Sequence, residues 1–543
     1  GGLYALVGQS GLVLKLVQAV IGALTCVLVY RVGMRVFRAS GVALIAAAFT
    51  AINGTLIYFD GQLLSASLDV FLQLLVVELL LVARERSRMA LWWAAGIVIG
   101  ISAINRGAIL LLLPLIGLWA WRGWGANAPA GDRNPERPGG TRRLAVLVAL
   151  VAPALVTVGW TVLHNLRVDR HASRGNMGLL PVAANMGVNF YLGNHTALRD
   201  INKTAHPQHF SRYDDIMALP TEQGITGAFA RSQYLFRETC ATIRRDPVGW
   251  LRLLGWKIRE LIHGAEIPRS GNLYAHRRHS PVLQMTLWKN VIAFPAGLII
   301  PAGLCGMLLA LPAWRRHYLL LAAILVQGGF VVMFFVTARY RLPAMPLLTL
   351  YAVAAVHALV RGLRARAGLR VGALGAVMIA LGVVSNWRVG GHPADYEYYE
   401  HCLLAQVLEQ NGDGARAVAH YETGLRLNPE YAWGHLHLGR ALLRRQDWQR
   451  AEHHLRRGIG LEPESPNVPP ALVGLGRALA KQGRDIEALE AWREALRRDP
   501  EMVGAHRGLC TVLRRLMRFA DAAPHCAAAQ SASGNASSAG SAP

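Results

Sequence analysis

Leu64-Ser-Ala-Ser-Leu-Asp-Val-Phe-Leu-Gln-Leu-Leu-Val-Val-Glu-Leu-Leu-Leu-Val-Ala83, followed at once by Arg84-Glu-Arg-Ser-Arg88, decides how most of this chain is read. An apolar helix of about 20 residues covers the hydrocarbon core of a bilayer. A basic cluster at one end holds that end on the cytoplasmic side. Nine further stretches repeat the pattern: 11–30, 41–58, 91–104, 108–121, 144–163, 293–312, 318–336, 344–360 and 371–387. The stretches 91–104 and 108–121 are short and meet at Asn105-Arg106. Short helices at membrane depth suit the lining of a cavity rather than contact with lipid.

Basic clusters follow every second stretch. They comprise Arg31, Arg35 and Arg38; Arg84, Arg86 and Arg88; Arg122 to Arg143; Arg315 and Arg316; and Arg361 to Arg370. That alternation places those loops inside. It leaves outside the Asp60 turn, the Asn105-Arg106 turn, residues 164–292 and everything after residue 390. The chain opens with Gly-Gly and no signal peptide precedes the first stretch, so we expect a piece of a longer protein; its start also falls outside, so an upstream span is expected to be missing from this piece.

The net charge of +24 belongs to this topology. Only five of the 57 basic residues are Lys, and many of the Arg cluster at the ends of apolar runs, so a nucleic-acid face is not expected. The six cysteines form no CxxC pair and no zinc spacing. Cys26 and Cys305 lie inside apolar stretches as packing residues. Cys510 and Cys526 are read as two buried thiols, a disulfide being the alternative in an oxidising compartment.

A different periodicity governs residues 392–527. Pro429, Pro463 and Pro500 recur at spacings of 34 and 37 residues. In register with them stand Leu404/Ala405, Leu438/Gly439 and Leu475/Gly476, then Ala417, Ala451 and Ala488, then Tyr421, Leu455 and Trp492. The longer interval is filled by Ser465–Pro470, and Ala522 marks a degenerate fourth unit. This resembles the tetratricopeptide repeat, a 34-residue helical hairpin with small residues where helices touch. Such hairpins stack into a solenoid whose concave face takes a peptide or a partner helix. The Ala/Ser/Gly-rich tail 528–543 is expected to be disordered.

Chemistry is sought first among ionisable residues at membrane level, where charge is expensive. Asp69, Glu78 and Lys15 lie within the apolar stretches. Lys15 suits snorkelling and Glu78 a bundle-facing structural role. Asp60, in Tyr58-Phe-Asp-Gly-Gln62, is either a general base or divalent-metal ligand, or a solvated turn residue. Arg106, flanked by Asn105, suits a lipid phosphate. Asn185, Asn189, Tyr191 and Asn194 are neutral partners for sugar hydroxyls, or parts of a turn-rich segment. Residues 164–292 hold 17 Lys/Arg against 9 Asp/Glu, a basic balance that suits an anionic headgroup. Arg339-Tyr340-Arg341, outside against the charge bias, serve phosphate contact or bracing.

Taken in order, Tyr58–Leu64, Gly100…Arg106…Pro114, His164–Val168, Gly187–Asn194, Asp246-Pro247 with Lys257, Glu266-Ile-Pro268 and Arg339–Pro343 resemble the GT-C glycosyltransferases. The likeness is to the bacterial family-39 group, related to protein O-mannosyltransferases and lipid A aminoarabinose transferases, and spans residues 1 to about 360. It implies a polyprenyl-phosphate sugar donor used with inversion on the outer face. It also implies donor or acceptor contacts at Lys257 and Glu266, and an acidic residue in a first outer loop that this chain is expected to lack. A second family acid falls on Ala66, a departure that turns attention to Asp60 and Asp69.

We therefore expect an all-α protein: a polytopic transmembrane bundle with a C-terminal repeat solenoid. Its parts are helices over 1–163, an extracytoplasmic loop domain over 164–292, helices over 293–390, an extracytoplasmic repeat domain over 392–527 and the tail. The expected function is transfer of a sugar from a polyprenyl phosphate to a protein, lipid or glycan at the bacterial inner membrane. Expected partners are that donor, membrane lipids and a protein or peptide on the repeats. A non-catalytic membrane scaffold is the alternative.

Overall fold

The computed structural model describes residues 11–62, 64–123, 140–172, 186–194, 219–225, 227–267, 273–277, 280–289, 291–366, 368–387 and 397–539. These residues are almost entirely helical, the β structure among them being one antiparallel ribbon that pairs Trp288-Lys289 with Ala293-Phe294. The described helices up to Asn386 form one unit and those from Glu397 onward a second.

In the first unit, five helical runs are long and apolar enough to cross a bilayer: Gly11–Phe37, Ala66–Arg86, Gly140–His164, Ala296–Met333 and Ala338–Arg364. Ser40–Ala51 and Gly54–Asp60, bent by 52°, make a sixth if taken together. Ten apolar stretches in the sequence thus correspond to five or six described runs that qualify by length and composition. Met89–Asn105, Ile109–Arg122 and Val371–Asn386 are apolar but shorter, and two of the ten stretches fall within the run Ala296–Met333, divided by the 3-10 turn Leu311–Ala313. Hydropathy reports composition, whereas length is set by where the backbone leaves the helix. Arg106, for example, adopts an extended conformation that ends Met89–Asn105.

The outermost of these helices carry apolar side chains away from the protein. Leu12, Leu16, Val20, Leu24 and Val27 are all exposed along Gly11–Phe37. The reverse holds for Ala66–Arg86, whose Leu74, Val76, Leu80 and Ala83 are fully buried. Its Glu78 is buried too, paired with Arg31 at 2.7 Å and Arg35 at 3.1 Å, which gives it a structural role. Close packing depends on absent side chains: a Cβ on Gly306 would collide with the Tyr351 carbonyl, so Ala296–Ala310 lies directly against Met345–Arg364.

The described helices of the segment expected as the loop domain, 164–292, belong to this unit. Ala228–Arg245 lies against Met186–Asn194, with the Gly187 amide donating to Ser232 Oγ at 2.8 Å. Pro247–Ile262 begins at Asp246, whose side chain accepts from the Gly249 amide, with Pro at the first helical position.

The second unit is four helical hairpins in the register that the prolines predict. They are Glu397–Gln410 with Gly414–Leu427, Ala432–Arg444 with Trp448–Leu461, Val468–Lys481 with Asp485–Arg498, and Val503–Arg515 with Phe519–Ala539. Asp413 and Asp447 cap the second helices of the first two hairpins. The small repeat residues Ala417, Ala451, Ala488 and Ala505 have no exposed surface. Trp492 fills the space left by Gly476 of its own hairpin and by Gly508 of the fourth, so its ring ties the two hairpins together, while its Nε1 donates to the Val473 carbonyl at 3.1 Å within the third. Two expectations are corrected here. Cys510 and Cys526 form a disulfide, their Cα atoms 5.0 Å apart across the fourth hairpin. The helix Phe519–Ala539 also continues past residue 527 into the tail, where its alanines favour helix.

Candidate functional site

Asp69 lies in the first turn of Ala66–Arg86, where the helix dipole favours a carboxylate. Arg106 stands just past Met89–Asn105, and its extended backbone turns the guanidinium back toward that turn. The two meet at 2.7 Å, with side chains 7% and 10% exposed respectively. The Arg106 guanidinium carbon lies 4.8 Å from the centre of the Tyr340 ring, a cation–π contact. Asn105 and the Arg339 guanidinium act on the same Asp69 carboxylate. Gln73, Ser102 and Gln327 close the space around the pair, and Gln327 donates to the Tyr340 carbonyl at 2.8 Å. Five candidates from three separate segments thus converge. Two guanidiniums facing one carboxylate give the cluster a cationic balance suited to an anionic group.

Asp60 ends the short helix Gly54–Asp60, which starts where the Asn53 side chain accepts from the Thr55 and Leu56 amides. It sits at a helix end rather than in an open turn. Its carboxylate lies against Gly22, where a side chain would displace it, and shares the wall of a cavity with Ser67. A cavity of about 440 Å³ opens beside it, lined among others by Lys15, Gly22, Cys26, Thr50, Asp60 and Ser67. Among the described residues no three His, Cys, Asp or Glu side chains come together to hold a metal. The described donors around Asp60 do not suit a protein-held divalent ion.

The remaining candidates sit apart from both places. Asn194 is fully buried, its Nδ2 donating to the Met333 carbonyl at 2.7 Å and its Oδ1 accepting from Trp250 Nε1 at 3.1 Å and Lys257 Nζ at 3.3 Å. Burial pushes the Lys257 amine down to about 7. Glu266 and Arg341 pair at 2.6 Å with 3% of each side chain exposed. Arg341 also donates to the carbonyls of Leu261 at 3.3 Å and Ala265 at 3.0 Å, and Thr55 Oγ1 donates to Glu266 Oε1 at 2.9 Å. That geometry braces Gly54–Asp60 and the 338–344 turn against residues 261–266. Tyr191 is buried, and burial with Glu238 and Tyr234 nearby raises its phenol. Asn189 is half-buried on the same helix, and Asn185 lies outside the described residues. Thr55, Trp250, Gln327 and Ser67 were missed, because isolated polar residues carry no spacing signal. Gly22, a lone glycine within an apolar stretch, was the one visible clue to the Asp60 cavity.

The tetratricopeptide-repeat family profile matches residues 402–469, 436–486 and 473–537. The C-terminal unit is accordingly a solenoid of that repeat. No curated protein matches the chain. Among solved structures, a crystal structure of MamA is similar at 17% identity over 26% of this chain and 82% of that one, with a TM-score of 0.24. MamA residues 41 to the end, from Desulfovibrio magneticus RS-1, are similar at 20% identity over 33% of this chain and 92% of that one, also with a TM-score of 0.24.

Proposed function

We propose that this protein is a membrane glycosyltransferase that moves a sugar from a polyprenyl-phosphate donor to a protein, lipid or glycan acceptor on the outer face of the bacterial inner membrane. The observation that carries it is the convergence of Asp69, Asn105, Arg106, Arg339 and Tyr340 at the ends of apolar helices. A guanidinium fork held by one carboxylate and one ring is pre-organised for a phosphate, and Arg339 supplies a second charge. In this reading the Asp60 carboxylate, at the wall of its cavity, takes the acceptor's proton as the acceptor oxygen bonds to the anomeric carbon. The bond from that carbon to the donor's phosphate oxygen breaks, and the polyprenyl phosphate leaves as an anion held by Arg106 and Arg339. Arg341 and Glu266 brace the fold instead of touching substrate. The apolar faces of Gly11–Phe37 and Gly140–His164 meet lipid. The Cys510–Cys526 disulfide supports an extracytoplasmic repeat domain, since such bonds persist in oxidising compartments.

The test is turnover of radiolabelled polyprenyl-phosphate sugars in membranes holding this chain, beside the Arg106→Ala form. Donor turnover that falls sharply in the variant supports the proposal. Equal turnover removes Arg106 from the donor site, and silence across a panel of donors sinks the transferase. The second reading, a scaffold recruiting envelope proteins, is favoured by one observation: residues 402–537 match the tetratricopeptide repeat, whose stacked hairpins present a concave face to a peptide or partner helix. Deleting residues 392–543 separates the two, because a transferase keeps donor hydrolysis and a scaffold loses its function.

A further inference from the structure

Histidines pair at one register of the repeat solenoid. His401 meets His420, His435 meets His454 and His506 meets His525, with Nδ1-to-Nδ1 distances of 2.9, 3.0 and 2.9 Å. The partners are 19 residues apart in each case, one on the first helix of a hairpin and one on the second. The third hairpin has Leu472 and Ala491 at these places. Ring centres stand 5.2 Å apart in all three pairs, so the two nitrogens lie between the rings, in near-linear N–H···N contact.

The surroundings fix which nitrogen carries the proton in two of the pairs. His435 Nε2 lies 3.0 Å from the Pro429 carbonyl, and His506 Nε2 lies 3.1 Å from the Pro500 carbonyl. A carbonyl only accepts, so each Nε2 donates and the neutral ring keeps a lone pair at Nδ1. His454 and His525 must then donate their Nδ1 protons. Each chain of bonds joins a hairpin's two helices to each other and to the proline that closes the preceding hairpin.

We infer that the paired histidines are acid-labile latches of the repeat domain, closed when at least one ring of a pair is neutral and opened when both are charged. A first proton on His454 Nε2 leaves its Nδ1–H donating to His435. A second proton can only enter at His435 Nδ1, and two N–H groups then face each other across about 3 Å. Asp447, Arg450, His453 and Arg457 act on this pair, and Glu422 of the preceding helix is paired with Arg450. Glu490, Arg493 and Arg497 of the third hairpin share a cavity with His525. Burial and these arginines hold His435, His454 and His525 below the ordinary histidine value, His454 at about 4. The folded chain therefore binds fewer protons than the unfolded chain as pH falls from about 6.5 toward 4, and the latch loses stability through that window. The fourth hairpin is held by the Cys510–Cys526 disulfide, one residue from His525, so acid acts first on the first two.

The experiment is limited proteolysis of the full chain in detergent at pH 7.5 and 4.5, with an acid-tolerant protease calibrated on an unfolded substrate. The fragments are assigned by mass spectrometry. The comparison is a variant that installs the third hairpin's own residues, His401→Leu, His420→Ala, His435→Leu and His454→Ala. The wild type is expected to be cut within residues 397–461 about tenfold faster at the lower pH, and the variant to change less than about twofold. Cutting within 503–529 should become acid-sensitive only after reduction. Should the fourfold variant not fold, His454→Asn keeps an N–H donor toward His435 and is expected to lie between the two. Equal acid sensitivity in wild type and variants overturns the latch. So does protection by micromolar zinc that depends on the histidines, which would make the pairs a metal clamp.

Discussion

Asp69 and Arg106 form a 2.7 Å ion pair that joins the first turn of one buried helix to the residue that ends the next, under the Tyr340 ring. Breaking a buried pair from one side leaves an unmatched charge, at a cost of about 3–5 kcal/mol. Arg106→Ala and Asp69→Ala should each lower thermal stability in detergent by roughly that amount. The double variant should recover a large share, because no charge is then stranded. If the three variants instead fall additively, the two residues are not coupled.

Gly22 and Gly306 offer a paired test of the Asp60 cavity. A Cβ at Gly22 meets the Asp60 carboxylate, the end of a side chain that can swing away, whereas one at Gly306 meets the Tyr351 backbone. Gly22→Ala should change stability by less than about 1 kcal/mol yet reduce donor turnover by displacing the carboxylate. Gly306→Ala should cost about 1–3 kcal/mol, since the helices must part. Unfolding midpoints and turnover measured side by side decide it. A Gly22→Ala protein with full turnover would take Asp60 out of the mechanism.

Lys257 sets a pH dependence on the alkaline side. Its amine is held at about 7 by burial, against 10.5 for the ordinary side chain. Between those values the unfolded chain carries a proton that the folded chain does not. Stability from this group is therefore complete above 10.5 and is lost as pH falls toward 7. Lys257→Met should flatten the stability profile over that range by up to about 1.4 kcal/mol per pH unit. Parallel profiles for wild type and variant would mean that Lys257 stays charged in the fold.

The Cys510–Cys526 bond closes a loop of 16 residues. Cross-links over loops of that size stabilise by about 3 kcal/mol. Reduction, or Cys510→Ser with Cys526→Ser, should loosen the fourth hairpin by that order. Amide exchange should rise first in Val503–Arg515. Unchanged exchange on reduction would show that packing alone holds the hairpin.

The helices were legible because their signals are local: apolar runs with Arg at one end, and prolines at intervals of 34 and 37 residues. The candidate site was legible only as a set of costly residues. Asp69 and Arg106 were each conspicuous for carrying charge at membrane level, but nothing in sequence spacing says that residues 37 positions apart share one ion pair. Arg341 looked as suited to phosphate as Arg339 does. It is instead buried against carbonyls and Glu266.

By itself the sequence determined which segments are helical, the register of the repeats and the stock of charges that need partners. Periodicity and hydropathy act over one or two turns and need no long-range contact. Only the tertiary structure decided which charges meet, that Asp60 faces a cavity across from Gly22, that ten apolar stretches are not ten long helices, and that cysteines and histidines on paired helices bond. Those outcomes depend on where distant backbones approach closely enough for two side chains to touch, and packing settles that after the helices exist.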